Sequence, residues 1–157
     1  MKLSDIIASN AVIPNIRASS KKQLLQELSN LAGKITGLDP RKIFESLLQR
    51  EKLGSTGLGH GIAIPHGKFA ELDRVYGLFA RLARPVSYDA LDGEPVDLVF
   101  LLLAPESAGA DHLKALARIS RLLRDSAIVQ KLRGTDNAEG LYAVLTEPAA
   151  TSTSNAA

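Results

Sequence analysis

The chain has 157 residues, 45% of them hydrophobic, with a formal net charge of +2, which suits one globular domain able to bury a core without covalent staples. The absence of cysteine excludes disulfides, thiolate metal sites and a cysteine nucleophile and leaves a reducing cytoplasm as the expected setting. Dispersed basic residues and only 4% aromatics offer nucleic acid little to pair with or stack on. In chain order, the opening MKLSDIIASNAVIP has an apolar stretch broken by Ser4, Asp5, Ser9 and Asn10 and does not read as a signal peptide. The stretch 20–37 begins with a Ser20-x-x-Gln23 capping pattern and places Leu24, Leu25, Leu28, Leu31, Ala32 and Ile35 on one stripe, which predicts an amphipathic helix. A second helix starts at Asp39-Pro40, turns Ile43, Phe44, Leu47 and Leu48 inward, and stops near Gly54 with Arg50 in its last turn.

The segments 61–65, 74–83 and 96–104 read as strands. The last is a continuous apolar run between Pro95 and Pro105, too short to span a membrane and suited to burial on both faces. The segment 111–125 repeats apolar residues at Leu113, Leu116, Ala117, Ile119, Leu122 and Leu123, again at helical spacing. Short helices follow over 126–132 and 136–146, the latter from an Asp136-x-x-Glu139 start. The domain is expected to cover 1–148, and 149–157 to be a disordered polar tail. Helices interleaved with doubly buried strands predict an α/β fold, a mostly parallel or mixed sheet with helices on both faces. Ligands of such sheets collect beyond the carboxyl ends of the strands. If strands 61–65 and 96–104 run parallel, His66 and His112 emerge on the same edge.

Five glycines between Gly54 and Gly67 cost chain entropy and call for a conformational reason. GLGHG precedes its strand, and GIAIPHGK (61–68) lacks the spacing and hydroxyl of a P-loop, so a nucleotide cradle is not expected. The loop can instead present amides and the hydroxyls of Ser55 and Thr56 to a small anion. Pro65 restrains Ile64 and fixes the exit of the chain, so that His66 is held outward, with Gly67 leaving it uncrowded. A neutral imidazole is a nucleophile that needs no separate base. Phosphoryl transfer to it asks mainly for positioning and for donors to the anionic oxygens. Arg50 and His112 are the side-chain candidates, with Lys68 either a phosphate contact or a solvated lysine.

REKLGSTGLGHGIAIPHGK (50–68), PVSYDALDGEPVDLVFLLLAP (85–105) and HLKALARISRLL (112–123) together resemble the IIA proteins of the bacterial phosphoenolpyruvate phosphotransferase system, the nitrogen-regulatory branch above all. The resemblance covers nearly the whole chain except its tail. It implies the mannitol/fructose-type IIA sandwich, a mixed five-stranded sheet between helices. It also implies that His66 is the phosphoacceptor, through its tele nitrogen, and that Arg50 and His112 support it. Ser55, Thr56, Gly67 and Lys68 are expected at the phosphate, and no cofactor is expected. The implied partners are a phosphorylated HPr-like carrier, NPr, and regulatory targets such as potassium-transport or sensor components. His60 departs from the asparagine often found at its position in that branch. The competing readings are a sugar-specific IIA that passes phosphate to a IIB domain, a regulatory module that never accepts phosphate, and a metal site built from His60, His66 and His112.

Overall fold

The computed structural model describes residues 2–147. The tail expected over 149–157 lies outside the described residues. The strands are β1 (Ile7–Ile16), β2 (Gly57–Gly59), β3 (Ile62–Ala63), β4 (His66–Phe69), β5 (Tyr76–Val86) and β6 (Val96–Pro105). The helices are α1 (Leu3–Ile6), α2 (Lys21–Thr36), α3 (Pro40–Lys52), α4 (Ala110–Leu122), α5 (Ser126–Arg133) and α6 (Ala138–Thr146).

The sheet runs β1-β5-β6-β3-β2, with β4 continuing the path of β3 along the same side of β6. Six strands therefore occupy five positions across the sheet, which reconciles the expected five with the observed pairing. The break between β3 and β4 falls at Ile64-Pro65: proline has no N–H to give a ladder, and its carbonyl instead accepts from Leu102 N at 3.0 Å. β3 and β4 both pair parallel to β6, whereas β5 pairs antiparallel to it. β6 is the middle of the sheet and every residue from Leu98 to Pro105 is buried, as its unbroken apolar run predicts.

α2 lies over the face carrying Leu78, Leu101 and Leu103. Ile6 of α1 approaches the opposite face, beside Phe100. Local chemistry sets the helix ends. Ser20 Oγ accepts from Gln23 N at 3.1 Å, and Asp39 Oδ1 accepts from Arg41 N at 2.9 Å with Pro40 in the first turn. α6 is capped by Asn137, whose side chain accepts from Gly140 N at 2.7 Å, so the helix begins later than the Asp136 start expected.

The opening stretch, to which the sequence assigns no element, holds β1, an edge strand parallel to β5 whose register shifts between Ile7 and Val12 and between Ile13 and Ile16, the second shift spanning Pro14. The expected face of α4 needs correction. In α4 the buried stripe is His112, Ala115 and Ile119, continued by Leu123, while Leu113 is 68% exposed and Ala117 is exposed. The helix is thus rotated by one position from the face that its leucines alone suggest. A histidine fills the place that a leucine was expected to take.

Candidate functional site

Where β3 gives way to β4, the chain delivers His66 beside Leu102 of β6. Successive strand residues face opposite ways. Gly67 faces α3 closely, where an added Cβ would lie 2.8 Å from Ser46 Oγ, while the His66 ring reaches Arg50 near the C-terminal end of the same helix. A side chain at Gly67 would collide with α3, which packs closely there.

The His66 ring is fixed at both nitrogens. Nδ1 lies 2.9 Å from the Ile64 carbonyl, which accepts but cannot donate, so Nδ1 carries the proton and Nε2 the lone pair. Arg50 Nε donates to that Nε2 at 3.3 Å, and Arg50 Nη1 donates to Gly54 O at 3.0 Å. Burial lowers the His66 pKa from 6.5; the Ile64 carbonyl opposes this and the Arg50 charge adds to it. The ring is therefore neutral at pH 7, with its free electron pair under a permanent cation.

His112, third residue of α4, completes the group. Its ring centroid is 5.5 Å from that of His66, with the planes at 74°. It is buried, and its Nδ1 has no hydrogen-bond partner. Burial lowers its pKa, and His66 and Lys68 lower it further. Two neutral imidazoles and a guanidinium thus converge from β4, α4 and α3, far apart in sequence. The parallel pairing of β3 and β4 with β6 is what brings them to one edge.

The glycine loop is arranged differently from the expected anion cradle. Thr56 N donates to Glu51 Oε1 at 3.0 Å, Gly57 N to Ser55 Oγ at 3.1 Å, His60 N to Asp92 Oδ2 at 2.9 Å and Ile64 N to Thr56 O at 3.0 Å. Its amides are largely used within the fold. The hydroxyls of Ser55 and Thr56 are also engaged: Ser55 Oγ donates to Tyr88 O at 3.1 Å, and Thr56 Oγ1 donates to Glu51 Oε2 and lies 3.1 Å from Tyr88 OH. Lys68 is exposed on the same side of β4 as His66.

Sequence reading missed Glu51, Tyr88 and Lys21. Glu51 is buried, paired with Lys21 Nζ at 3.0 Å, and its Oε2 accepts from Tyr88 OH at 3.2 Å. Helical spacing gives no hint that a charged residue beside Arg50 turns inward. His60 stands apart on the exposed loop at φ +56°. Among the described residues no group of three or more His, Cys, Asp or Glu side chains is placed to hold a metal ion, so His60, His66 and His112 do not form the metal site considered above. No helix among the described residues is long and apolar enough to cross a membrane.

A mixed sheet between helices, with a paired histidine and arginine at one edge, sets the class. The family model described as the phosphoenolpyruvate-dependent sugar phosphotransferase system, EIIA 2, matches residues 5–147, and the chain belongs to that family. The chain is 58% identical over 151 residues to the nitrogen regulatory protein of Bradyrhizobium diazoefficiens, covering 96% of this chain and 99% of that one. It is 40% identical over 148 residues to the nitrogen regulatory protein of Escherichia coli K12, covering 94% and 91%. The crystal structure of nitrogen regulatory protein IIA-Ntr from Neisseria meningitidis superposes with a TM-score of 0.87 at 39% identity, over 92% of this chain and 99% of that one. Within the family, these likenesses fall on nitrogen-regulatory IIA components.

Proposed function

We propose that the chain is a phosphocarrier of the nitrogen-related phosphotransferase system, receiving a phosphoryl group on Nε2 of His66 from the phosphohistidine of an HPr-like carrier, NPr. The observation that carries this is the ring geometry: Nδ1 tied to Ile64 O and the lone pair of Nε2 facing Arg50. In the transfer, the P–N bond on the donor imidazole breaks and its electron pair stays with the donor nitrogen. The lone pair of His66 Nε2 forms the new P–N bond. The Nδ1 proton stays in place, where the Ile64 carbonyl stabilises the positive charge that develops on the ring. Arg50 swings its donors from Nε2 to the phosphoryl oxygens. His112, with Nδ1 buried, offers Nε2–H to the same oxygens, and the N-terminus of α4 adds its favourable dipole. Lys68 is an outer cation. Ser55 and Thr56 act by holding the loop.

A macromolecular donor fits the surroundings. Leu53, Leu91 and Leu113 are 85%, 91% and 68% exposed, on segments adjoining Arg50, the glycine loop and His112. Exposed leucines of this kind suit protein docking. Phosphorylation adds close to two negative charges at a rim of donors. The two states then select different targets, such as potassium-transport or sensor components in the cytoplasm, without refolding. Incubation with a phosphorylated HPr-type carrier is expected to give an acid-labile phosphate that is lost in His66→Ala. A folded wild-type chain that takes up none contradicts the reading.

A further inference from the structure

We propose that Glu51 is a positioning residue for Arg50, and through it for the reacting nitrogen of His66; the proposal rests on the phosphocarrier reading above. Glu51 is an improbable place for a charge. Its side chain is 4% exposed, it ends a helix whose C-terminal dipole disfavours an anion, and it adjoins a site meant to attract an anion. A carboxylate buried there costs desolvation that apolar packing would avoid. A carboxylate kept there therefore needs a full set of donors.

What the carboxylate does is bind the turn after α3. Oε1 accepts from Thr56 N and pairs with Lys21 Nζ, both at 3.0 Å. Oε2 accepts from Thr56 Oγ1 and from Tyr88 OH. Lys21 Nζ also sits 4.5 Å from the centre of the Tyr88 ring. α2, α3, the glycine loop and the segment before Asp89 are thereby joined at one point. Between Glu51 and Thr56 lies Gly54, whose N–H bonds Glu51 O at 3.1 Å and whose carbonyl holds Arg50 Nη1. Pinning Thr56 fixes that carbonyl, the carbonyl orients the guanidinium, and the guanidinium meets His66 Nε2. The donors on Glu51 have a second effect. They satisfy the carboxylate, so that it does not capture the neighbouring Arg50, and among the described residues Arg50 forms no ion pair.

The test is single-turnover phosphoryl transfer from a phosphorylated HPr-type carrier to wild type, Glu51→Gln, Arg50→Ala and the double variant, each checked for a cooperative melt. Glu51→Gln is expected to lower the rate at saturating carrier about tenfold, with the carrier concentration for half-maximal rate changed less than about twofold. In the Arg50→Ala background it is expected to lower the rate no further. A folded Glu51→Gln at the wild-type rate, or losses that multiply in the double variant, overturns the proposal. Should Glu51→Gln not fold, Thr56→Val keeps the main-chain bond to Glu51 and loses only the hydroxyl. It is expected to show a smaller loss that likewise vanishes with Arg50→Ala, and independent losses overturn the proposal. A wild-type chain that takes up no phosphate overturns the phosphocarrier reading and this inference with it, whereas normal uptake with an indifferent Glu51 removes only the inference.

Discussion

The proposed chemistry depends on how His66, Arg50 and His112 are held. Arg50 Nε is 3.3 Å from the His66 nitrogen that carries the lone pair, and the side chain is half-buried with one further bond, to Gly54 O, so its loss removes a donor aimed at developing charge and little else. Arg50→Ala is expected to slow phosphoryl uptake about 100-fold with little change in melting temperature, read by single-turnover transfer and thermal denaturation. Protonation gives a second test. Burial lowers the pKa values of His66 and His112 below 6.5, so in mildly acidic solution the unfolded chain binds protons that the native chain does not. The stability that this confers is complete above pH 6.5 and is lost as pH falls through the native values. The acceptance rate is likewise expected to hold its plateau below pH 6.5, because only the neutral ring attacks; a decline that begins above 6.5 contradicts this. At His60 the backbone sits at φ +56°, a region where asparagine is at ease. His60→Asn is expected to stabilise the fold by about 0.5 kcal/mol without altering uptake, measured by denaturant unfolding.

Elements were legible where periodicity and punctuation agreed. The cap at Ser20, the proline after Asp39 and the apolar run of β6 announced α2, α3 and the central strand with ends close to those found. β1 was hidden because it is an irregular edge strand containing a proline, and edge strands lack the two-sided burial that makes β6 obvious. α4 was found as a helix but turned by one residue, since leucine spacing cannot reveal that His112 is the buried member. The same limit hid Glu51. Burial of a polar residue depends on partners distant in sequence, here Lys21, Thr56 and Tyr88. His66, Arg50 and His112 could be named from motif, but the engagement of the Ser55 and Thr56 hydroxyls within the fold could not be read from it. The meeting of β4 with α3 is also testable. Gly67→Ala would place a carbon 2.8 Å from Ser46 Oγ and is expected to destabilise by about 1–3 kcal/mol, with Ser46→Ala restoring part of the loss in urea unfolding.

For the whole molecule, the sheet acts as a frame that brings a strand end, a helix start and a helix end to one edge, and the two histidines meet because β3 and β4 run with β6. The half-buried ring is neutral and has its cation in place, so the proposed reaction asks for a side-chain movement of Arg50 and not for a rearrangement of the sheet. On the proposed reading, the phosphorylated chain differs from its parent by charge at one spot. That suits a component whose states are distinguished by partner surfaces. The measurement closest to this claim is nitrogen and phosphorus NMR of the chain after incubation with a phosphorylated HPr-type carrier. The expected result is one phosphoryl group bonded to Nε2 of His66, with Nδ1 still hydrogen-bonded to Ile64 O. Phosphate on Nδ1, on a residue other than His66, or no phosphate on a folded chain would contradict it.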